Sequence, residues 1–103
     1  MTNRLEALLK FYEKDPNDSF TIYGIALEYV SLKNYSKAEE YFQKLLAFDP
    51  NYVAGYMQYA MLKEKLNDIN SAKDLYNRGI KIAKETGDKK SAAEMEDFLN
   101  ELE

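Results

Sequence analysis

The sequence predicts an all-α protein of six helices, arranged as antiparallel pairs that repeat along the chain. Three observations carry this prediction. The corner Asp15-Pro16-Asn17 returns as Asp49-Pro50-Asn51, 34 residues later. The same offset links Ala26 to Ala60, Leu32 to Leu66, Ala38 to Ala72, Phe42 to Tyr76 and Leu46 to Ile80. Between the corners, apolar residues step by three and four, the spacing that places side chains on one face of a helix. The chain has only two prolines and four glycines, which favours long helices over many turns.

The elements follow in order. The first helix is expected over roughly Asn3 to Lys14. Arg4, Leu8 and Pro16 precede Ala38, Phe42 and Pro50 by the same 34 residues, so residues 1–18 read as the second half of a truncated repeat. Proline ends a helix because it lacks an amide hydrogen and crowds the preceding turn, and the Asn that follows each one is expected to cap the next helix. The first full unit, 19–52, has Ile22, Ile25, Ala26, Tyr29 and Leu32 on its first helix. Lys33-Asn34 makes the turn. Ser36 with Glu39 predicts a capping box at the start of the second helix, which carries Ala38, Tyr41, Phe42, Leu45 and Leu46. The second unit, 53–86, repeats the plan with Tyr56, Tyr59, Ala60 and Leu66, then Ala72, Leu75, Tyr76 and Ile80. Gly87-Asp88 opens a last helix over 87–103. Ala92, Met95, Leu99 and Leu102 form its apolar stripe, and Glu94, Glu96, Asp97 and Glu101 solvate the rest, the pattern of a terminal cap. Corners are therefore expected near Pro16, Asn34, Pro50, Asp68 and Gly87.

Composition narrows the chemistry. Nine tyrosines and five phenylalanines in 103 residues supply ample apolar area for a folded domain. Cysteine and histidine are both absent, which removes disulfides, thiolate metal sites, the usual general base and the commonest metal ligand. Ser19, Ser31, Ser36, Ser71 and Ser91 thus have no imidazole to activate them. Glu39, Glu40, Glu94, Glu96 and Asp97 read as solvating charge on exposed helix faces, with Lys44 four residues after Glu40. No Gly-rich phosphate loop or calcium-loop spacing appears. The expectation is a protein without catalysis, without a metal and without a cofactor. Net charge is −4, and Lys81, Lys84, Lys89 and Lys90 are the one basic cluster, read as stabilising a helix C-terminus. Nucleic acid is therefore not the expected partner, and single-stranded nucleic acid stacked on tyrosines stays as a weak alternative. Met1 to Lys10 is polar and no apolar run approaches a bilayer's span, so no membrane association and a cytoplasmic location are expected.

The residues at these spacings resemble the tetratricopeptide repeat, a 34-residue helix–turn–helix with Trp-x2-Leu-Gly-x2-Tyr, then Ala-x3-Phe, then Pro. The first full unit reads Ile22-x2-Ile25-Ala26-x2-Tyr29, Ala38-x3-Phe42 and Pro50. The second reads Tyr56-x2-Tyr59-Ala60-x2-Lys63 and Ala72-x3-Tyr76. Lys63 departs from the aromatic, and Lys84 stands at the closing proline, so the last paired helix is expected to run on toward Thr86. The resemblance implies a right-handed α-α superhelix whose small residues Ala26, Ala60, Ala38 and Ala72 let helices cross closely.

It also implies a concave groove lined by the first helix of each unit. The groove positions are Phe20, Tyr23, Leu27 and Val30, then Ala54, Met57, Gln58, Met61 and Glu64. An apolar stripe of this kind usually marks an interaction site, so the expected role is a non-enzymatic scaffold that holds a protein or peptide. Pairing of two copies through the groove, as a homodimer, is the alternative; burial of the groove by the terminal helix is another. Some members of the family grip a peptide's C-terminal carboxylate with inward cations and amides. Here only Gln58 could donate, so an apolar or aromatic segment, such as an amphipathic helix, is the expected ligand, with little salt dependence.

Overall fold

The computed structural model describes residues 3–103, which form six α-helices and no strand. They are α1 (Asn3–Lys14), α2 (Ser19–Ser31), α3 (Tyr35–Phe48), α4 (Val53–Lys65), α5 (Ile69–Glu85) and α6 (Lys89–Leu102). The breaks fall at the five expected corners. α5 is the longest helix at 17 residues, and Thr86 is its C-cap. No proline stands at Lys84 to stop it earlier. The chain divides into two compact units, one reaching to Pro50 and the other spanning Asn51–Glu103.

The corners are built from backbone chemistry repeated three times. After α2, α4 and α5 the chain takes one left-handed residue: Lys33 (φ 62°), Asn67 (φ 65°) and Gly87 (φ 81°). At each, two amides fold back onto the last turn, as in Asn34 N–H to Tyr29 O, Asp68 N–H to Lys63 O and Asp88 N–H to Ala83 O. This satisfies the carbonyls that a helix end leaves orphaned. The next residue then caps the following helix. Asn34 accepts from the Lys37 amide, Asp68 from Ser71 and Asp88 from Ser91.

Three expected caps are corrected. The cap of α3 is Asn34, one residue before the helix, and Ser36 lies inside the first turn. Asn17 and Asn51 sit in the turns after their prolines; Asp18 caps α2, and Tyr52 holds the cap position of α4 without capping it through its side chain. Asp15 accepts from the Asn17 amide instead, which uses Asn17 in a tight turn. The basic cluster also divides. Lys84 lies in the last turn of α5 and pairs with Glu96 at 3.0 Å, whereas Lys89 and Lys90 open α6, where the helix dipole does not favour them.

In the first unit, α2 and α3 pair and bury Ile22, Ile25 and Ala26 with Ala38, Tyr41, Phe42 and Leu45. α1 closes this pair. Its Leu8 approaches Gly24, Arg4 meets Glu28 at 3.0 Å, and Tyr12 sets its ring edge against Tyr41 at 5.7 Å. Lys44 lies over both of those rings and pairs with Glu40. Ser19 at the start of α2 donates to Asp49 at the end of α3, 2.8 Å away.

In the second unit, α4 and α5 bury Tyr56, Tyr59, Ala60 and Leu62 with Ala72, Leu75, Tyr76 and Ala83. α6 packs on α5 through Ala92 and the fully buried Met95. Gly79 makes this three-helix contact possible. A Cβ there would lie 2.8 Å from Tyr56 Cβ and 2.7 Å from Met95 Sδ. All four small residues at the expected crossings, Ala26, Ala38, Ala60 and Ala72, are fully buried.

Candidate functional site

α2 carries Phe20, Tyr23, Leu27 and Val30 at helical spacing on one stripe. Asp18 accepts from the Phe20 amide and from the Thr21 hydroxyl, which fixes the first turn and turns the Phe20 ring outward. Phe20 is 71% exposed, the most exposed of the large apolar side chains described. Tyr23, Leu27 and Val30 are half-buried, so their edges remain available along the same stripe. Burial pushes the Tyr23 phenol above its ordinary range, so it stays neutral.

α4 carries the matching stripe of the second unit. Ala54, Met57 and Gln58 are half-buried, and Met61 is 40% exposed. One turn on, Glu64 no longer faces water alone. The Tyr76 hydroxyl of α5 donates to its Oε2 at 2.5 Å. Lys63, at the position where the repeat pattern has an aromatic, pairs with Asp68 and lies over the Tyr59 ring, so its stem and charge stay on the unit's own surface.

At the end of this stripe the second unit opens a pocket of about 440 Å³, lined by Met61, Glu64, Lys65, Tyr76, Phe98 and Glu101. Three helices supply it. The floor is aromatic, with the Phe98 ring 5.8 Å from that of Tyr76. Burial first, then the bond to Glu64, then the charges of Glu64 and Glu101 hold the Tyr76 phenol far above its ordinary range, so it remains a donor. α6 thus borders the stripe and leaves Met61 exposed.

Sequence reasoning places Met61 and Glu64 here and misses Lys65, Tyr76, Phe98 and Glu101 as a lining. The expected α6 stripe omits Phe98, and the helical pattern alone makes Glu101 a solvating charge. A signal did exist: Met95, Phe98 and Leu102 step by three and four. In the first unit a depression of about 230 Å³ is lined by Ala7, Lys10, Phe11 and Lys14 of α1. Among the described residues no group of three or more carboxylates could hold a metal ion, and no helix is long and apolar enough to cross a membrane.

Comparison with known proteins agrees with this geometry. The tetratricopeptide repeat pattern matches residues 29–93. A TPR repeat-containing protein of Pseudomonas aeruginosa is 26% identical over 99 residues, covering 96% of this chain and 94% of its own. A tetratricopeptide repeat and J domain-containing co-chaperone of Fusarium oxysporum is 32% identical over 71 residues, 69% of this chain and 14% of that protein. The solution structure of a tetratricopeptide repeat domain protein from Salinibacter ruber superposes with a TM-score of 0.82 at 37% identity, covering 86% of this chain and 90% of that one. Over the fold, the spacing of its core and these likenesses together, the chain belongs to the tetratricopeptide repeat family.

Proposed function

We propose that this protein is a non-enzymatic scaffold, acting as one cytoplasmic domain over residues 1–103, that binds apolar or aromatic peptide segments through the stripe on α2 and the stripe on α4. The family's general role is to mediate protein–protein interaction. The observation that carries the reading is the α2 stripe: a 71% exposed Phe20 continuous with Tyr23, Leu27 and Val30, with no charged side chain among them. Leaving such a ring in water has no packing rationale, and apolar patches of this kind mark contact surfaces. On α4, Met57 and Met61 add flexible, polarisable contacts suited to an irregular partner, and Gln58 can satisfy one peptide amide or carbonyl.

The test uses a labelled hexapeptide, acetyl-Leu-Gln-Phe-Leu-Gln-Leu, as amide and as free acid, titrated into ¹⁵N-labelled protein. The reading expects both forms to bind equally, to perturb Phe20, Leu27, Met57 and Met61, and to lose little affinity between low and high salt. A clear preference for the free acid, abolished by salt, would replace the apolar reading with carboxylate capture. Dimer formation by the free protein with those same shifts would replace it with self-association.

A further inference from the structure

We infer that the pocket at the end of α4 receives a cationic side chain, an arginine or lysine that follows the apolar part of the bound segment. The inference rests on the peptide-binding reading above and deepens it by naming a second chemistry in the ligand. The pocket combines an apolar floor and wall, from Phe98, the Tyr76 ring and the Met61 thioether, with two carboxylates and a single ammonium, Lys65. Its formal charge is therefore −1. That pairing suits a side chain with an apolar stem and a charged head, and suits an anion poorly.

The carboxylates are held at the pocket. The Tyr76 hydroxyl donates to one oxygen of Glu64 and so fixes that side chain in orientation. Glu101 lies near enough for its charge to act on the same phenol. A cation entering there would meet two acceptors beside the half-buried Phe98 ring, and aromatic rings attract cations through their quadrupole. Position points the same way. Met61 and Glu64 belong both to the pocket and to the α4 stripe, so a segment lying on the stripe reaches the pocket without a change of direction. The α2 stripe has no such counterpart: Phe20, Tyr23, Leu27 and Val30 carry no charge. The cation is thus specified at the α4 stripe and not at the α2 stripe.

The experiment compares two probes built on the neutral hexapeptide. In one, the second Gln is arginine; in the other it is citrulline, which keeps the shape and loses the charge. Fluorescence anisotropy at low salt is expected to show the arginine probe binding roughly fivefold tighter than the citrulline probe, as one charge-assisted aromatic contact supplies. The preference is expected to shrink at high salt, to vanish in Glu101→Gln with Glu64→Gln, and to grow in Lys65→Ala. Gln at position 64 still accepts from Tyr76, so the fold is retained, and thermal melts check it. Equal binding of the two probes, with Phe20 and Leu27 still perturbed, overturns the pocket inference and leaves the apolar reading standing. Binding of none of the three peptides overturns both. A preference for arginine that survives the double carboxylate variant overturns the assignment to this pocket.

Discussion

The two units place different side chains at the same repeat positions. In the first, Ile22 on α2 and Leu45 on α3 are both buried. In the second, 34 residues on, Tyr56 stands for Ile22 and Gly79 for Leu45. The Tyr56 Cβ of α4 and the Met95 thioether of α6 both come within 3 Å of where a side chain on Gly79 would begin, so the space on α5 is occupied from two sides. Cores are close-packed, so a side chain missing on one helix is matched by the closer approach of its neighbours. Glycine inside a helix is unfavourable by about 1 kcal/mol relative to alanine, so Gly79 is held by this close approach.

Gly79→Leu breaks that balance most directly. Overpacking is expected to cost roughly 1–3 kcal/mol, read in urea melts. The loss should be smaller in a Met95→Ala background, where the thioether 2.7 Å from the added Cβ is gone, and unchanged in a Tyr56→Ile background, because Ile keeps the Cβ that lies 2.8 Å away. If the cost is the same in the parent and Met95→Ala backgrounds, the close approach of Met95 is not what requires Gly79.

Gly24→Ala sharpens the contrast with a glycine that no close contact requires. An added Cβ would sit 3.5 Å from the Leu8 methyls, an ordinary contact, and α2 would gain helix propensity. Stability should rise by about 0.5–1 kcal/mol. A loss on calorimetry would mean that α1 and α2 are packed more tightly than Leu8 indicates.

The smallest difference concerns acid. In the second unit the caps of α5 and α6 are Asp68 and Asp88, whose carboxyls are held below the ordinary aspartate range by bonds from Ser71 and Ser91. In the first unit α3 is capped by Asn34, which does not titrate. A lowered folded value means the contribution is present above the ordinary aspartate range and is lost as pH falls through the lowered one. The Ser71 and Ser91 amide resonances should therefore move on acidification to below about pH 4, while the Lys37 amide holds nearer its position. Equal movement at all three would remove the cap distinction.

Much of this fold is legible in the sequence because its strongest signals are local and repeated. Pro16 and Pro50 stop helices wherever they occur, and Ala26, Ala38, Ala60 and Ala72 return at each crossing because two backbones meet there. The caps were less legible. Which of several neighbouring Asn, Asp and Ser residues accepts the first amide depends on where the chain leaves its turn, so Asn34 and Asp18 act where Ser36 and Asn17 were expected. The exchange of Ile22 and Leu45 for Tyr56 and Gly79 is invisible to a search for matching residues. The stripes on α2 and α4 were readable from helical spacing, but the pocket was not. Phe98 and Glu101 come from α6, outside the repeat, and reach Tyr76 and Glu64 only through tertiary packing.

The central claim is that buried repeat positions hold the fold while the stripes hold a partner. It is tested most directly by measuring, in the same preparations, thermal stability and affinity for the amidated hexapeptide in Ala38→Leu and Leu27→Glu. Ala38 is fully buried at a helix crossing, and Leu27 is half-buried on the α2 stripe. The account predicts that Ala38→Leu loses roughly 1–3 kcal/mol of stability. It predicts that Leu27→Glu melts like the parent protein and binds the hexapeptide at least about tenfold more weakly, the effect of placing a charge where an apolar contact was. A melt in which Leu27→Glu is the more damaging change, or a titration in which it binds as the parent does, would contradict it.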